Sequence, residues 1–153
     1  MITFLQKRQH GRYLTVIVSN AECVLPLLLC GSSTADMVAF TGRTMIALYP
    51  KLTSQRVAIP TGRIAISSSP YEFANIQAEL DNIGVQFVPS NEDWTCECGA
   101  ECPSLVRSVT ENVGLFHLTE HPVDRVLEQW EVSEAQWSLG WNCSNSSCRQ
   151  CFD

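Results

Sequence analysis

Six of the eight cysteines and two of the three histidines lie between residues 96 and 151. No other feature restricts the fold so strongly, because clustered thiols must be accounted for by a metal, by disulfides or by burial. The first group is Trp94-Thr95-Cys96-Glu97-Cys98-Gly99-Ala100-Glu101-Cys102-Pro103. The second is Asn142-Cys143-Ser144-Asn145-Ser146-Ser147-Cys148-Arg149-Gln150-Cys151. Tetrahedral zinc takes four thiolate or imidazole ligands, commonly delivered as close pairs on tight turns. Cys96-x-Cys98-x₃-Cys102 supplies one set, and Gly99 permits its turn. Cys143-x₄-Cys148-x₂-Cys151 supplies the other, with Cys148 and Cys151 at knuckle spacing. His117-x₃-His121 is also a spacing found in metal sites. His117 sits in the apolar run Leu115-Phe116-His117-Leu118, so His121 is the first substitute for a missing sulfur. The expected ligands are Cys96, Cys98, Cys102, His121, Cys143, Cys148 and Cys151, holding one or two zinc ions. Cys96-x-Cys98 is shorter than the usual knuckle, which leaves disulfides and buried free thiols open as alternatives.

The compartment decides between these readings. A chain of 153 residues buries roughly two-thirds of its unfolded surface in a single core, so neither disulfides nor a metal is needed merely to fold. The most apolar run, Tyr13–Cys30, is interrupted by Asn20, Glu22 and Pro26. A glutamate near the middle of a span costs a few kcal/mol, and the same residues break the run as a signal peptide. Leu29 is too large for the residue before a lipoprotein cysteine. The expectation is an intracellular, cytoplasmic protein with no membrane association, where clustered cysteines bind metal more often than they pair. The two sequons, Asn142-Cys143-Ser144 and Asn145-Ser146-Ser147, matter only in a secreted chain.

Charge separates the two parts of the chain. Residues 1–90 carry seven Lys/Arg and five Asp/Glu, net +2, and residues 91–153 carry three and eleven, net −8. An acidic segment repels phosphate backbones, which argues against nucleic acid as a partner. Its first reading is a solvated acidic face, and the alternative is a docking surface for a basic protein.

Along the chain, residues 2–6 and Arg12–Ser19 read as strands. Cys23–Cys30 reads as a strand or a short buried helix, and Thr44–Tyr49 suits a strand. Val57-Ala58-Ile59 and Ile64-Ala65-Ile66 flank the turn composition Pro60-Thr61-Gly62, which predicts a hairpin. Ser69, Pro70 and Glu72 form an N-cap, a first helical turn and a capping box. Phe73, Ile76, Leu80 and Ile83 then make an apolar stripe that Gly84 ends, and Val85–Val88 reads as a strand. Pro89–Asp93 is the best boundary. Beyond it, Cys102-Pro103 starts an expected helix carrying Leu105, Val106, Val109 and Val113. Leu115–Leu118 follows as a strand. A second helix opens at His121-Pro122, with Val123, Val126, Leu127 and Trp130 on one face.

Two enzyme readings compete. Cys102 precedes a predicted helix, whose N-terminus lowers a thiol pKa. A strand, a tryptophan and cysteines before a Pro-led helix is similar to thioredoxin-like order, although Cys98-x₃-Cys102 is not C-x-x-C and Glu97 and Glu101 oppose a thiolate. Trp137-Ser138-Leu139-Gly140-Trp141-Asn142-Cys143 looks like the Asn-Cys element of papain-like acyltransferases, with His10 as the base. Ser144-Asn145-Ser146 stands where those enzymes place an aromatic residue. No Walker loop, G-x-G-x-x-G or H-E-x-x-H is present, so nucleotide and metalloprotease chemistry lack support.

The sequence therefore predicts an α+β fold. A mixed N-terminal sheet with one well-capped helix spans residues 1–90. A Cys-rich, helical, zinc-stabilised portion spans 91–153, and the two can share one core. The favoured function is a zinc-binding structural or protein-interaction module. The alternative is a cysteine-dependent enzyme, with Cys102 in thiol redox chemistry or Cys143 and His10 in acyl transfer.

Overall fold

A computed structural model describes residues 3–9, 12–18, 25–40, 44–67, 69–109, 114–117 and 136–149. Strands β1 (Thr3–Gln9) and β2 (Arg12–Val18) form an antiparallel hairpin, with Thr3 opposite Val18 and Gln9 opposite Arg12. The Cys23–Cys30 stretch contributes a single helical turn, α1 (Leu25–Leu28), which buries Leu25 and Leu28. A 3₁₀ turn over Thr34–Asp36 follows, tied by the Asp36 carboxylate, which accepts the amides of Ser32 and Ser33. Next come β3 (Val38–Phe40), β4 (Thr44–Ala47) and α2 (Pro50–Gln55). Proline at the first position of α2 loses no hydrogen bond, since that N–H has no helical partner.

The unit that follows departs from the expected hairpin. Val57–Ala58 is a strand, β5, but Ile64, Ala65 and Ile66 belong to a helix, α3 (Gly62–Ser67). The cause is non-local. Thr61 donates its amide to the Ser32 carbonyl and its hydroxyl to the Gly31 carbonyl, and Gly62 donates its amide to the Leu139 carbonyl. The Thr61 carbonyl accepts the amides of Ile64 and Ala65, which turns the chain into α3 instead of back along β5. Helix α4 (Pro70–Asn82) starts where the capping box places it: Glu72 donates its amide to the Ser69 hydroxyl, and its carboxylate accepts the Ser69 amide. Gly84 follows it with φ +72, the left-handed conformation expected past a helix end. Strand β6 (Gln86–Phe87) then pairs parallel to β5, so α3 and α4 form the crossover. Ala58, Leu80 and Phe87 make a small core there, with Phe73 and Ile76 against it. Ile83 is exposed, so the apolar stripe of α4 ends at Leu80.

Past residue 90, the described segments hold a 3₁₀ turn (Gly99–Glu101) and the strands β7 (Arg107–Ser108), β8 (Gly114–His117) and β9 (Gln136–Trp137). The helix expected from Pro103 is not formed over residues 103–108. A turn and then β7 occupy that segment, and Val106 of the expected stripe is exposed. The helix expected after His121 lies outside the described residues. Strand β8 pairs with β4, and β4 with β3, in a three-stranded antiparallel sheet. Strand β9 pairs with β7.

The described residues thus combine helices with small sheets, an α+β arrangement. The main core draws on both sides of residue 90: Leu25, Met37, Ile46, Leu48, Tyr49, Leu52 and Ile59 pack with Val109, Trp137 and Leu139. Ile46, Leu48 and Ile59 are wholly buried, each contributing about 1.5–3 kcal/mol. Trp137 is part of this core, and Trp141 is fastened by an indole N–H bond to the Pro60 carbonyl.

Candidate metal centre

The two cysteine segments meet. Cys98, Cys102, Cys143 and Cys148 bring their sulfurs within 4.8 Å of one another. Cys98 Sγ lies 3.6 Å from Cys143 Sγ, and Cys102 Sγ lies 3.7 Å from Cys148 Sγ. A tetrahedral zinc with bonds of about 2.3 Å needs sulfur–sulfur edges of about 3.8 Å, so the nearest pairs already stand at the required spacing. Cys98, Cys102 and Cys148 are buried, and Cys143 is half-buried. No disulfide joins the six described cysteines to one another.

Local chemistry explains each pair. The 3₁₀ turn sends the Glu101 amide to the Cys98 carbonyl and the Cys102 amide to the Gly99 carbonyl, which brings Cys98 and Cys102 onto one side. Gly99 makes the turn at φ +55, a conformation costly for a residue with a Cβ. In the second segment, the Asn145 side-chain carbonyl accepts the Ser147 amide, and its main-chain carbonyl accepts the Cys148 amide. That turn presents Cys148 beside Cys102.

Three polar side chains hold the assembly: Asn91 and Arg107, outside the two cysteine groups, and Asn145, within the second. Asn91 is wholly buried. Its carboxamide donates to Cys143 Sγ at 2.9 Å and to Cys98 Sγ at 3.3 Å, and accepts the Ser144 amide at 2.9 Å. Asn145 donates to the Cys96 carbonyl at 2.7 Å and to Cys98 Sγ at 3.3 Å. Arg107 is buried under the first turn. Its guanidinium donates to the carbonyls of Ala100, Cys102 and Leu105 and lies 4.3 Å from the Tyr49 ring centre. Trp94 and Leu105 pack against the sulfurs, and Trp94 also touches the main core.

Burial dominates the electrostatics. It pushes the Cys98 thiol up to about 12, against the pull of the Asn145 and Asn91 hydrogen bonds toward the thiolate. Burial also raises the Glu101 carboxyl, although Arg107 and Lys51 oppose it, and leaves Glu101 Oε2 without a hydrogen-bond partner among the described residues. Arg107 is drawn below its ordinary value by the same burial. Four sulfurs from two segments, all within 4.8 Å of one another, are a group that could hold a metal ion. The donor set fits a soft or borderline divalent metal.

The remaining candidates fall elsewhere. Cys96 is exposed and outside the four-sulfur group. Its carbonyl, not its sulfur, is the atom used by Asn145. His117 lies in β8, opposite Thr44. Cys151, His121 and His10 lie outside the described residues. Cys102 and Cys143, the two enzyme candidates, are both members of the four-sulfur group. The Asn145 sequon has its side-chain nitrogen, the atom a glycan would join, turned inward onto sulfur and carbonyl. Asn91 and Arg107 carry no signal in the sequence beyond their residue type. Comparison of the chain with protein families, curated proteins and solved structures gave no match. Among the described residues, no helix is long and apolar enough to cross a membrane.

Proposed function

We propose that this chain is a small zinc-stabilised module whose activity is to bind another protein. The observation that carries the metal reading is the convergence of Cys98, Cys102, Cys143 and Cys148 from two distant segments onto one point. Four sulfurs complete a tetrahedral shell and leave no position for water or substrate, which is the signature of a structural site. Cys98, Cys102, Cys143 and Cys148 are the ligands. They must lose protons to bind, so the metal's attraction offsets the burial that keeps Cys98 protonated. The reducing intracellular compartment expected from the sequence keeps these thiols available.

The partner is a protein with a basic surface. The support is the net charge of −8 over residues 91–153, a balance that repels nucleic acid and attracts cationic side chains. Holding residues 94–148 in shape is the task of the metal.

Elemental analysis of protein prepared under reducing conditions, with a count of thiols reactive in the folded state, tests the reading. One zinc per chain, with the four clustered cysteines protected until a chelator is added, is the expected result. Absence of metal together with rapid alkylation of all four would refute it, and selective fast alkylation of Cys102 or Cys143 alone would favour the enzyme.

A further inference from the structure

The four sulfurs are not the whole of the centre. We infer that Asn91 is its outer positioning residue, a clamp that joins the two cysteine segments and sets the charge on the sulfurs; this rests on the metal reading above. One carboxamide makes three bonds. The nitrogen donates to Cys98 Sγ of the first segment and to Cys143 Sγ of the second, and the oxygen accepts the Ser144 amide. The side chain is wholly buried between the segments. It therefore ties together residues 45 apart in the chain through atoms of its own.

Two consequences follow. The clamp can draw the two segments together before any ion arrives, which lowers the ordering cost of binding. When a cation is bound, each N–H···S bond withdraws charge from a thiolate, stabilising the negative sulfur and reducing its attack on electrophiles. Partners that orient metal ligands in this way change affinity by about 10–100-fold when removed. Asn145 adds a second such bond to Cys98. The same sulfur thus receives two carboxamide donors, and its neighbour Cys143 receives one of them.

The discriminating variant is Asn91→Asp. It keeps the shape and the acceptor for the Ser144 amide, and it replaces only the donor facing the sulfurs with an anion. Cobalt(II) is the probe, because its sulfur-to-metal charge-transfer band reports sulfur charge directly. The expected result is binding weakened at least tenfold, with the band moved to longer wavelength, in a variant whose Ser144 amide stays protected from hydrogen exchange. Wild-type affinity and an unmoved band in Asn91→Asp would overturn the clamp while leaving the metal reading intact. If the wild type takes up neither cobalt nor zinc, the metal reading fails, and the clamp is judged on metal-free protein. Slow exchange of the Asn91 side-chain protons then supports it, and exchange at the rate of a solvent-exposed carboxamide overturns it.

Discussion

Arg107 offers the sharpest test of how the metal loop is fastened to the core. Changing it to methionine keeps most of the stem and removes the guanidinium. Three main-chain carbonyls, those of Ala100, Cys102 and Leu105, lose a charged donor. Hydrogen bonds to charged groups contribute about 1.5–3 kcal/mol each, and the contact with the Tyr49 ring about 2 kcal/mol when desolvated. The gross loss is about 7–11 kcal/mol. Relief of the cost of burying the guanidinium returns part of this, and removing one partner of a buried charged network leaves a net loss of about 3–5 kcal/mol. A domain of this size is stable by about 5–15 kcal/mol, so Arg107→Met should fold yet be fragile. With a urea slope of about 2 kcal/mol/M, the midpoint should fall by about 1.5–2.5 M, followed by tryptophan fluorescence. Zinc affinity should fall with it, since Cys102 loses the grip on its carbonyl. A midpoint shift under about 0.3 M with unchanged zinc affinity would refute the idea that this side chain fastens the turn.

Three further outcomes are expected. Cys98→Ser should lose the metal and Cys96→Ser should keep it, as measured by zinc content after gel filtration, because only Cys98 reaches the other sulfurs. Gly62→Ala should cost about 1–3 kcal/mol in urea titration, because a Cβ there would run into the Leu139 carbonyl oxygen and meet Gly140 backbone atoms at 2.8 and 2.9 Å; a neutral result would contradict that close approach. Tyr49 has its phenol pushed from 10.0 up to about 12, chiefly by burial. The folded state therefore holds that proton more tightly than the unfolded one, and stability falls as pH rises from about 10 toward 12. Absorbance at 295 nm should show one tyrosine in the folded chain failing to ionise by pH 11, and Tyr49→Phe should abolish that lag.

Where local chemistry decided the structure, it was readable. Ser69, Pro70, Glu72 and Gly84 mark both ends of α4 with interactions confined to a few residues. The expected hairpin at 57–66 failed because Thr61 and Gly62 are satisfied by Gly31, Ser32 and Leu139, partners that no local pattern reveals. The helix expected from Pro103 failed for a related reason. Arg107 collects the carbonyls of residues 100, 102 and 105, and β7 pairs with the distant β9. The cysteine segments stood out by composition, yet spacing alone could not say which sulfurs meet. The 3₁₀ turn after Cys98 selects that residue to pair with Cys102, and the Asn145 turn selects Cys148. Asn91 was unreadable because its role exists only once residues 98, 143 and 144 have gathered around it.

The bonds from the Trp141 indole to the Pro60 carbonyl and from the Gly62 amide to the Leu139 carbonyl set a schedule for biosynthesis. Trp141 and Pro60 are 81 residues apart. At about 5–20 residues per second, a nascent chain must wait about 4–16 s between making Pro60 and making the tryptophan that covers it. Throughout that interval Leu48, Tyr49 and Ile59 lack Trp137 and Leu139, the residues that close the core over them. Until the segment around residues 137–141 is made, the growing chain has part of its apolar core without the side chains that complete it.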